Sequence, residues 1–226
     1  MTNDDALPDG YYIAPPCEEP LRILHADDEL LIVDKPAFLY TVPGRGPENS
    51  DSVITRLRVD YPEAVIIHRL DLDTSGLLMV PRTARARSEL SRQIRERTLQ
   101  KGYEAVVLGM VAEDSGTIDS ALAPDPERWP RSRIDPAGKS ALTRYRVLAR
   151  DPDGNRTRLR LDPVTGRQHQ LRLHLASIGH PILGCDLYAH EEALRASPRL
   201  LLHACELGFV HPGSGEFTTF RSAAPF

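Results

Sequence analysis

The run Val65-Ile66-Ile67-His68-Arg69-Leu70-Asp71-Leu72-Asp73-Thr74-Ser75-Gly76-Leu77-Leu78-Met79-Val80 sets two apolar segments around a polar one that closes in Thr-Ser-Gly. Val65 to Ile67 and Leu77 to Val80 have the length and β-branching of buried strands, so the stretch reads as strand, loop, strand. Asp71 then sits between two rigid elements, with Arg69 two residues before it and the hydroxyls of Thr74 and Ser75 after it. Rigid placement is what a reactive carboxylate needs. Two other readings stand at this point. Asp71 is a turn residue that bonds the amide of Asp73 or Thr74, or Asp71 and Asp73 form the Asp-x-Asp pair of a magnesium-dependent phosphatase.

Outward from this stretch the chain alternates short strands with turns. Leu21 to His25 and Leu30 to Lys35 read as a hairpin over an acidic turn. Asp51-Ser52 caps a helix from Val53 to Val59. Ala84 to Arg97 reads as an amphipathic basic helix, with Leu90 and Ile94 on one face. Lys101 to Gly109, Thr143 to Val147 and Arg156 to Leu161 read as strands. Asp114 to Pro136 reads as a proline-rich loop around Trp129, where Arg128, Arg131 and Arg133 suit single-stranded RNA unless Trp129 simply pins the loop to the core. His169 and His174, five apart on an alternating segment, fall on opposite faces of a strand and do not share a metal.

The chain has 226 residues, 41% hydrophobic and 27% charged, as expected of a globular protein. No apolar run approaches the roughly 20 residues of a membrane span, and the acidic N-terminus lacks the basic and apolar regions of a signal peptide. The cytoplasm is therefore the expected compartment. Cys17, Cys185 and Cys205 are odd in number and far apart, so free thiols are expected. The net charge of −4 hides an asymmetry. Residues 1–34 hold nine carboxylates against Arg22 alone, whereas Arg82 to Lys101 holds seven basic residues against Glu89 and Glu96. An acidic arm that faces away and a basic segment that faces phosphates reconcile an acidic protein with RNA.

The string His68-Arg69-Leu70-Asp71-x-x-Thr74-Ser75-Gly76-Leu77-Leu78 resembles the signature of the RluA-type pseudouridine synthases. Further matches are Val33-Asp34-Lys35-Pro36, the Lys-x-Tyr-x-Ala of Lys101 to Ala105, Gly166-Arg167-Gln168-His169-Gln170-Leu171-Arg172-Leu173-His174, and Gly179-His180-Pro181-Ile182-Leu183-Gly184 through Tyr188. Together they cover about Leu21 to Phe226. Two positions depart from the family pattern. Phe38 stands where a Gly is usual, and Cys185 stands where an Asp is common, with Asp186 one place later.

The resemblance implies an α+β fold, a mixed and largely antiparallel central sheet with flanking helices, in two lobes around a basic catalytic cleft. The strand count agrees with that class. It implies a polar leader over residues 1–20 and one catalytic domain over 21–226, the leader being too short for the RNA-binding domain that precedes the catalytic part in many relatives. The implied reaction isomerises uridine to pseudouridine without a cofactor or metal. Asp71 supplies the push on the base or sugar, Arg172 keeps that carboxylate ionised, and Tyr103 lies against the uracil. Arg69 fills the space that the flipped uridine vacates. His68, Arg92, Arg95, Lys101, Arg167, His169 and Gln170 are the further expected RNA contacts. The expected substrates are a tRNA anticodon stem-loop and a 23S rRNA hairpin, met by a monomer that makes no membrane contact. A non-catalytic RNA-binding module would have no reason to keep Asp71, Tyr103 and Arg172 together.

Overall fold

In a computed structural model of the chain, residues 12–226 are described, and the first eleven residues of the expected leader lie outside that range. The strands are β1 (Arg22–Ala26), β2 (Leu30–Lys35), β3 (Ser75–Pro81), β4 (Gln100–Leu108), β5 (Ser115–Asp119), β6 (Leu122–Pro124), β7 (Ser132–Ile134), β8 (Leu142–Asp151), β9 (Arg156–Pro163), β10 (Leu202–Val210) and β11 (Phe217–Arg221). The α-helices are α1 (Val53–Leu57), α2 (Ala84–Glu96), α3 (Gln170–Ser177) and α4 (Glu191–Arg195). Nine strands form one sheet in the order β1-β2-β3-β10-β4-β9-β8-β5, with β11 paired to β10, while β6 and β7 make a separate hairpin. Every named pair is antiparallel except β3 with β10, which run parallel. This is the expected α+β class.

Alternation along β2 and β3 gives the sheet two buried faces. Leu31, Val33, Leu78 and Val80 pack with Val53, Ile54 and Leu57 of α1 and with Leu70 of the polar segment. Leu30, Ile32, Leu77 and Met79 pack instead with Ala86 and Leu90 of α2. Burying one such aliphatic side chain contributes about 1.5–3 kcal/mol, so each helix is fixed by the face it covers. Tyr103 packs against the α1 cluster and also against a third one, built from Ala105, Val107, Leu159, Leu161, Leu171 and Leu175. The sheet is continuous, and the two apolar clusters that meet at Tyr103 lie on it without a division into two lobes.

Local chemistry sets the element ends. Ser52 accepts from the Thr55 amide while the Ser52 amide donates to the Thr55 hydroxyl, a capping box that starts α1. Thr83 caps α2 by accepting from Ala86, and Arg97 ends it in the left-handed conformation.

Three elements differ from the sequence reading. Val65 to Ile67 is half-buried and makes no ladder; only the Val65 amide is tied, to the Pro81 carbonyl. The apolar run is there, but β2 and β10 already flank β3 and leave it no edge to join. Asp114 to Pro136 contains β5, β6 and β7 rather than a continuous loop. Gln170 to Ser177 is α3, not a strand, so the alternation of Leu and polar residues there is overridden by tertiary packing of Leu171 and Leu175. The described part of the leader lies over the surface as expected. Asn49 clips it by donating to the Tyr12 carbonyl at 2.8 Å and accepting from the Ala14 amide at 3.0 Å. Arg56 donates to the carbonyls of Glu19 and Cys17.

Candidate active site

The segment that carries Asp71 is held from outside by backbone bonds. Lys35, fully buried at the end of β2, donates from Nζ to the carbonyls of Pro36, Leu39 and Leu72 at 2.9, 2.8 and 3.0 Å. The Phe38 amide donates to the same Leu72 carbonyl at 2.9 Å, and the Thr41 hydroxyl donates to the Leu70 carbonyl at 2.9 Å. Phe38 reaches that bond with φ at 63°, a left-handed backbone that glycine adopts without cost. This accounts for the usual Gly at that position and shows the chain keeping the geometry with a bulkier residue. Gly76 is needed where β3 meets β10: its φ is 114°, and a Cβ there would lie 2.4 Å from the Ala204 carbonyl.

The turn itself is closed by the Thr74 amide donating to the Asp71 carbonyl at 3.2 Å. Among the described residues the Asp71 carboxylate makes no hydrogen bond to that turn. Instead it faces the Arg172 guanidinium, with Nη1 3.7 Å from Oδ2, and the His169 imidazole, with Nε2 3.9 Å from Oδ2. Its side chain is 31% exposed. Burial pushes the Tyr103 hydroxyl pKa up, and the neighbouring Asp71 pushes it further, so the phenol stays protonated.

Arg172 projects from α3 and is 2% exposed. Its Nη1 also lies 3.6 Å from Asp73 Oδ2, its Nη2 donates to Asp186 Oδ1, and its Nε donates to the Cys185 thiol at 3.4 Å. The guanidinium stands 5.8 Å from the Tyr188 ring centre. Burial opposes its charge, but Cys185, Asp71 and Asp186 more than offset that and raise its pKa. Burial and Asp186 raise the Asp73 pKa, with Arg172 pulling the other way. Burial lowers the Lys35 ammonium to about 7 against the upward pull of Asp73 and Asp71.

The remaining expected RNA contacts divide. His169, left-handed at the start of α3 with φ at 54°, bonds Tyr188 through Nδ1 at 2.8 Å and belongs to the site. Burial lowers its pKa, which the Asp71 carboxylate resists. Arg69 is exposed and has no ion pair with Asp73, whose cation is Arg172. Gln170 is buried and fully bonded, accepting from Thr165 and the Arg167 amide and donating to the Leu142 carbonyl and the Thr143 hydroxyl. Its part is to brace the turn before α3. Arg167 donates to the Ser140 carbonyl at 3.0 Å. His68 Nε2 accepts from the Met79 amide at 3.0 Å, and burial lowers its pKa to about 3, so it is a neutral bracket for β3. Lys101 is half-buried, and burial lowers its pKa. Arg92 pairs with both Glu89 and Glu96, while Arg95 is exposed. Both stand on α2, across the sheet from Leu70 and Tyr103.

Sequence reasoning did not single out Lys35, Thr41 or Tyr188, and left Asp186 open. Lys35-Pro36 was visible as a strand end, but nothing in the spacing says that its ammonium caps a loop far along the chain. Trp129 is 63% exposed, with Arg45 5.5 Å from its ring centre, so it does not pin its loop to the core. Arg128 and Arg133 there pair with Asp125 and Asp135. Among the described residues one group has metal-ligand spacing, His25, Asp27 and His211, whose ligand atoms lie within 4.8 Å of one another. His211 Nδ1 accepts from the Gly213 and Ser214 amides, which places the proton on Nε2, and that N–H is given to Asp27 at 2.9 Å. The cluster is a bonded latch between two turns, with the lone pair a metal would take already protonated.

Residues 29–177 match the family described as RNA pseudouridylate synthase. The chain is 47% identical over 205 residues to the dual-specificity RNA pseudouridine synthase RluA of Yersinia pestis, covering 90% of this chain and 99% of that protein. It is 46% identical over 213 residues to the enzyme of that name from Escherichia coli strain K12, covering 94% and 97%. Among solved structures it is similar to human RNA pseudouridylate synthase domain containing 1, with a TM-score of 0.81 at 27% identity over 94% of this chain and 86% of that one. With a family model matching two thirds of its length and relatives 46–47% identical over nine tenths of it, the chain belongs to the RNA pseudouridylate synthase family.

Proposed function

We propose that this protein isomerises uridines in two classes of structured RNA, a tRNA anticodon stem-loop and a 23S rRNA hairpin, with Asp71 as the reacting carboxylate, Arg172 as its counter-charge and Tyr103 against the base. The observation that carries the reading is the Asp71 carboxylate, unbonded by its turn and faced by Arg172 Nη1 at 3.7 Å. Dual specificity is supported by the names of the relatives from Yersinia pestis and Escherichia coli, and the two RNA classes by the resemblance of the motifs.

In the reaction the N1–C1′ bond breaks, the uracil turns in place, and C5 bonds to C1′; the proton lost from C5 goes to solvent and N1 gains one. No redox step occurs. A carboxylate 31% exposed on a segment fixed by Lys35 and Thr41 can meet the nucleoside without rearranging, which is where preorganisation lowers a barrier. A uridine must first leave its stack at a cost of a few kcal/mol. Arg69, exposed beside Asp71, is the side chain placed to occupy that space. Arg95, like Arg87, is exposed on α2 and among the described residues lacks the ion pairs of Arg92, which suits it to phosphates. A monomer is part of the proposal, and tRNA and rRNA substrates fit the cytoplasm. Residues 21–226 act as one catalytic unit behind the leader.

Tritium release from C5-labelled uridine tests reaction and substrates together. Release is expected from both an anticodon stem-loop and a 23S hairpin transcript, unchanged by a chelator. Release from one alone narrows the specificity, and release from neither overturns the reading.

A further inference from the structure

The three carboxylates around Arg172 are not equivalent. Asp186 makes the closest contact, to Nη2, and the Cys185 thiol takes Nε at 3.4 Å, whereas Asp71 and Asp73 stand 3.7 and 3.6 Å from Nη1. Two of the three guanidinium nitrogens are therefore fixed by neighbours in sequence on the turn before α4. That turn is rigid. Gly184 takes φ of 72°, and a Cβ on it would lie 1.9 Å from the Arg199 carbonyl. The amides of Leu183 and Gly184 donate to Val106 and Ala193 at 2.9 and 2.8 Å, Cys185 donates to Ile182 at 3.2 Å, and the Leu201 amide donates to the Leu183 carbonyl at 3.0 Å. Cys185 is buried, and Asp186, 56% exposed, points its carboxylate from the surface inward to the arginine.

We infer that Asp186 is a positioning residue for the uridine reaction: with the Cys185 thiol it holds the Arg172 guanidinium by Nη2 and Nε, so that Nη1 alone is left to face Asp71. The inference rests on the assignment of Asp71 and Arg172 made above. It also explains how the chain tolerates Cys185 where a carboxylate is common in the family. In this chain the carboxylate one residue along the turn, Asp186, takes Nη2, and the Cys185 thiol accepts the Nε–H. A side chain as long as arginine, buried but gripped only through one edge, would otherwise choose between Asp71 and Asp73. A mispositioned charge at the reacting group costs rate rather than affinity.

The groups that face this cluster are Asp71 and Asp73 from the segment before β3, Lys35 from β2, His169 and Arg172 from α3, Tyr188 from the turn, and the Tyr12 and Tyr40 phenols. The test compares Asp186→Ala, Asp186→Asn and Asp186→Glu with Asp71→Asn in single-turnover assays, alongside thermal melting. In Asp186→Ala we expect turnover at saturating RNA to fall by about 10- to 100-fold, with RNA affinity and melting near the parent. Asp186→Glu should recover much of the rate, and Asp186→Asn should lie between.

A parent rate in Asp186→Ala overturns the inference. So does a loss confined to RNA affinity, which would make Asp186 an RNA contact, or a rate that Asp186→Glu does not recover. If Asp71→Asn is inactive, those outcomes leave the main assignment standing; an active Asp71→Asn overturns the assignment and this inference with it.

Discussion

The two charged regions of this protein, α2 and the surroundings of Asp71, invite opposite expectations from sequence and end in opposite roles. α2 and the approach to it carry the densest run of arginines, yet Arg92 is occupied by Glu89 and Glu96, Arg82 just before the helix is bonded to Glu63 and to the Asp27 carbonyl, and Arg85 donates to the Pro212 carbonyl. The helix covers the sheet face away from Leu70 and Tyr103. The site around Asp71 has one buried guanidinium, that of Arg172, which is 2% exposed and shared among three carboxylates. The same charge is worth far more where water cannot screen it. Chemistry follows burial and bonding of charge, not its count along the chain.

The contrast breaks most readily at its buried end. Arg172→Met should cut single-turnover rate by at least about 100-fold and lower the melting temperature as well. Removing one partner of a buried ion cluster leaves the others uncompensated, at about 3–5 kcal/mol. A variant with parent rate would show that the guanidinium is only structural.

Lys35 tests the segment that holds Asp71. Its ammonium is buried and lowered to about 7 from an ordinary value of 10.5. Between those values the unfolded chain binds the extra proton and the folded one does not, so this group makes stability rise with pH through that window. Lys35→Met should abolish that rise in denaturant melts taken from pH 7 to 10, and should slow turnover by freeing the Leu72 carbonyl. A parent-like pH slope in the variant would mean that Lys35 titrates normally.

At the solvated end the effects shrink. Arg95→Glu should lower RNA affinity and flatten its salt dependence by about 0.7 per lost phosphate contact, with Arg92→Glu doing less because its charge is already paired. Turnover at saturating RNA should hold in both. Loss of turnover there would erase the distinction between the two regions. Smallest of all, Phe38→Gly should relieve left-handed strain of about 1 kcal/mol, offset by the lost packing of a partly buried ring. Melting of the two proteins within a few degrees of each other is the expected result.

How far the chain could be read depended on the range of the interactions. The hairpin of β1 and β2, the cap of α1 and the span of α2 rest on neighbours in sequence, and each was legible within a residue or two. Asp71, Tyr103 and Arg172 fall in motifs of a known family; in the structure Arg172 faces Asp71 at 3.7 Å, and Asp71 lies near enough to Tyr103 to raise its pKa. Val65 to Ile67 and α3 were misread because periodicity cannot see which strand edges are already taken or which leucines a distant core will claim. Gln170 and His68 looked like RNA contacts, but their partners, Thr143 and the Met79 amide, lie on elements the local sequence does not reveal. Lys35 escaped notice for the same reason: its Leu72 partner lies 37 residues away.

The central claim is that Asp71 performs the chemistry and the rest of the cluster serves it. The direct test is Asp71→Asn, an isosteric change that removes only the charge, assayed for tritium release from C5-labelled uridine in an anticodon stem-loop at saturating enzyme. The account predicts parent-like folding and RNA binding with no release above background. Release at a substantial fraction of the parent rate would contradict it.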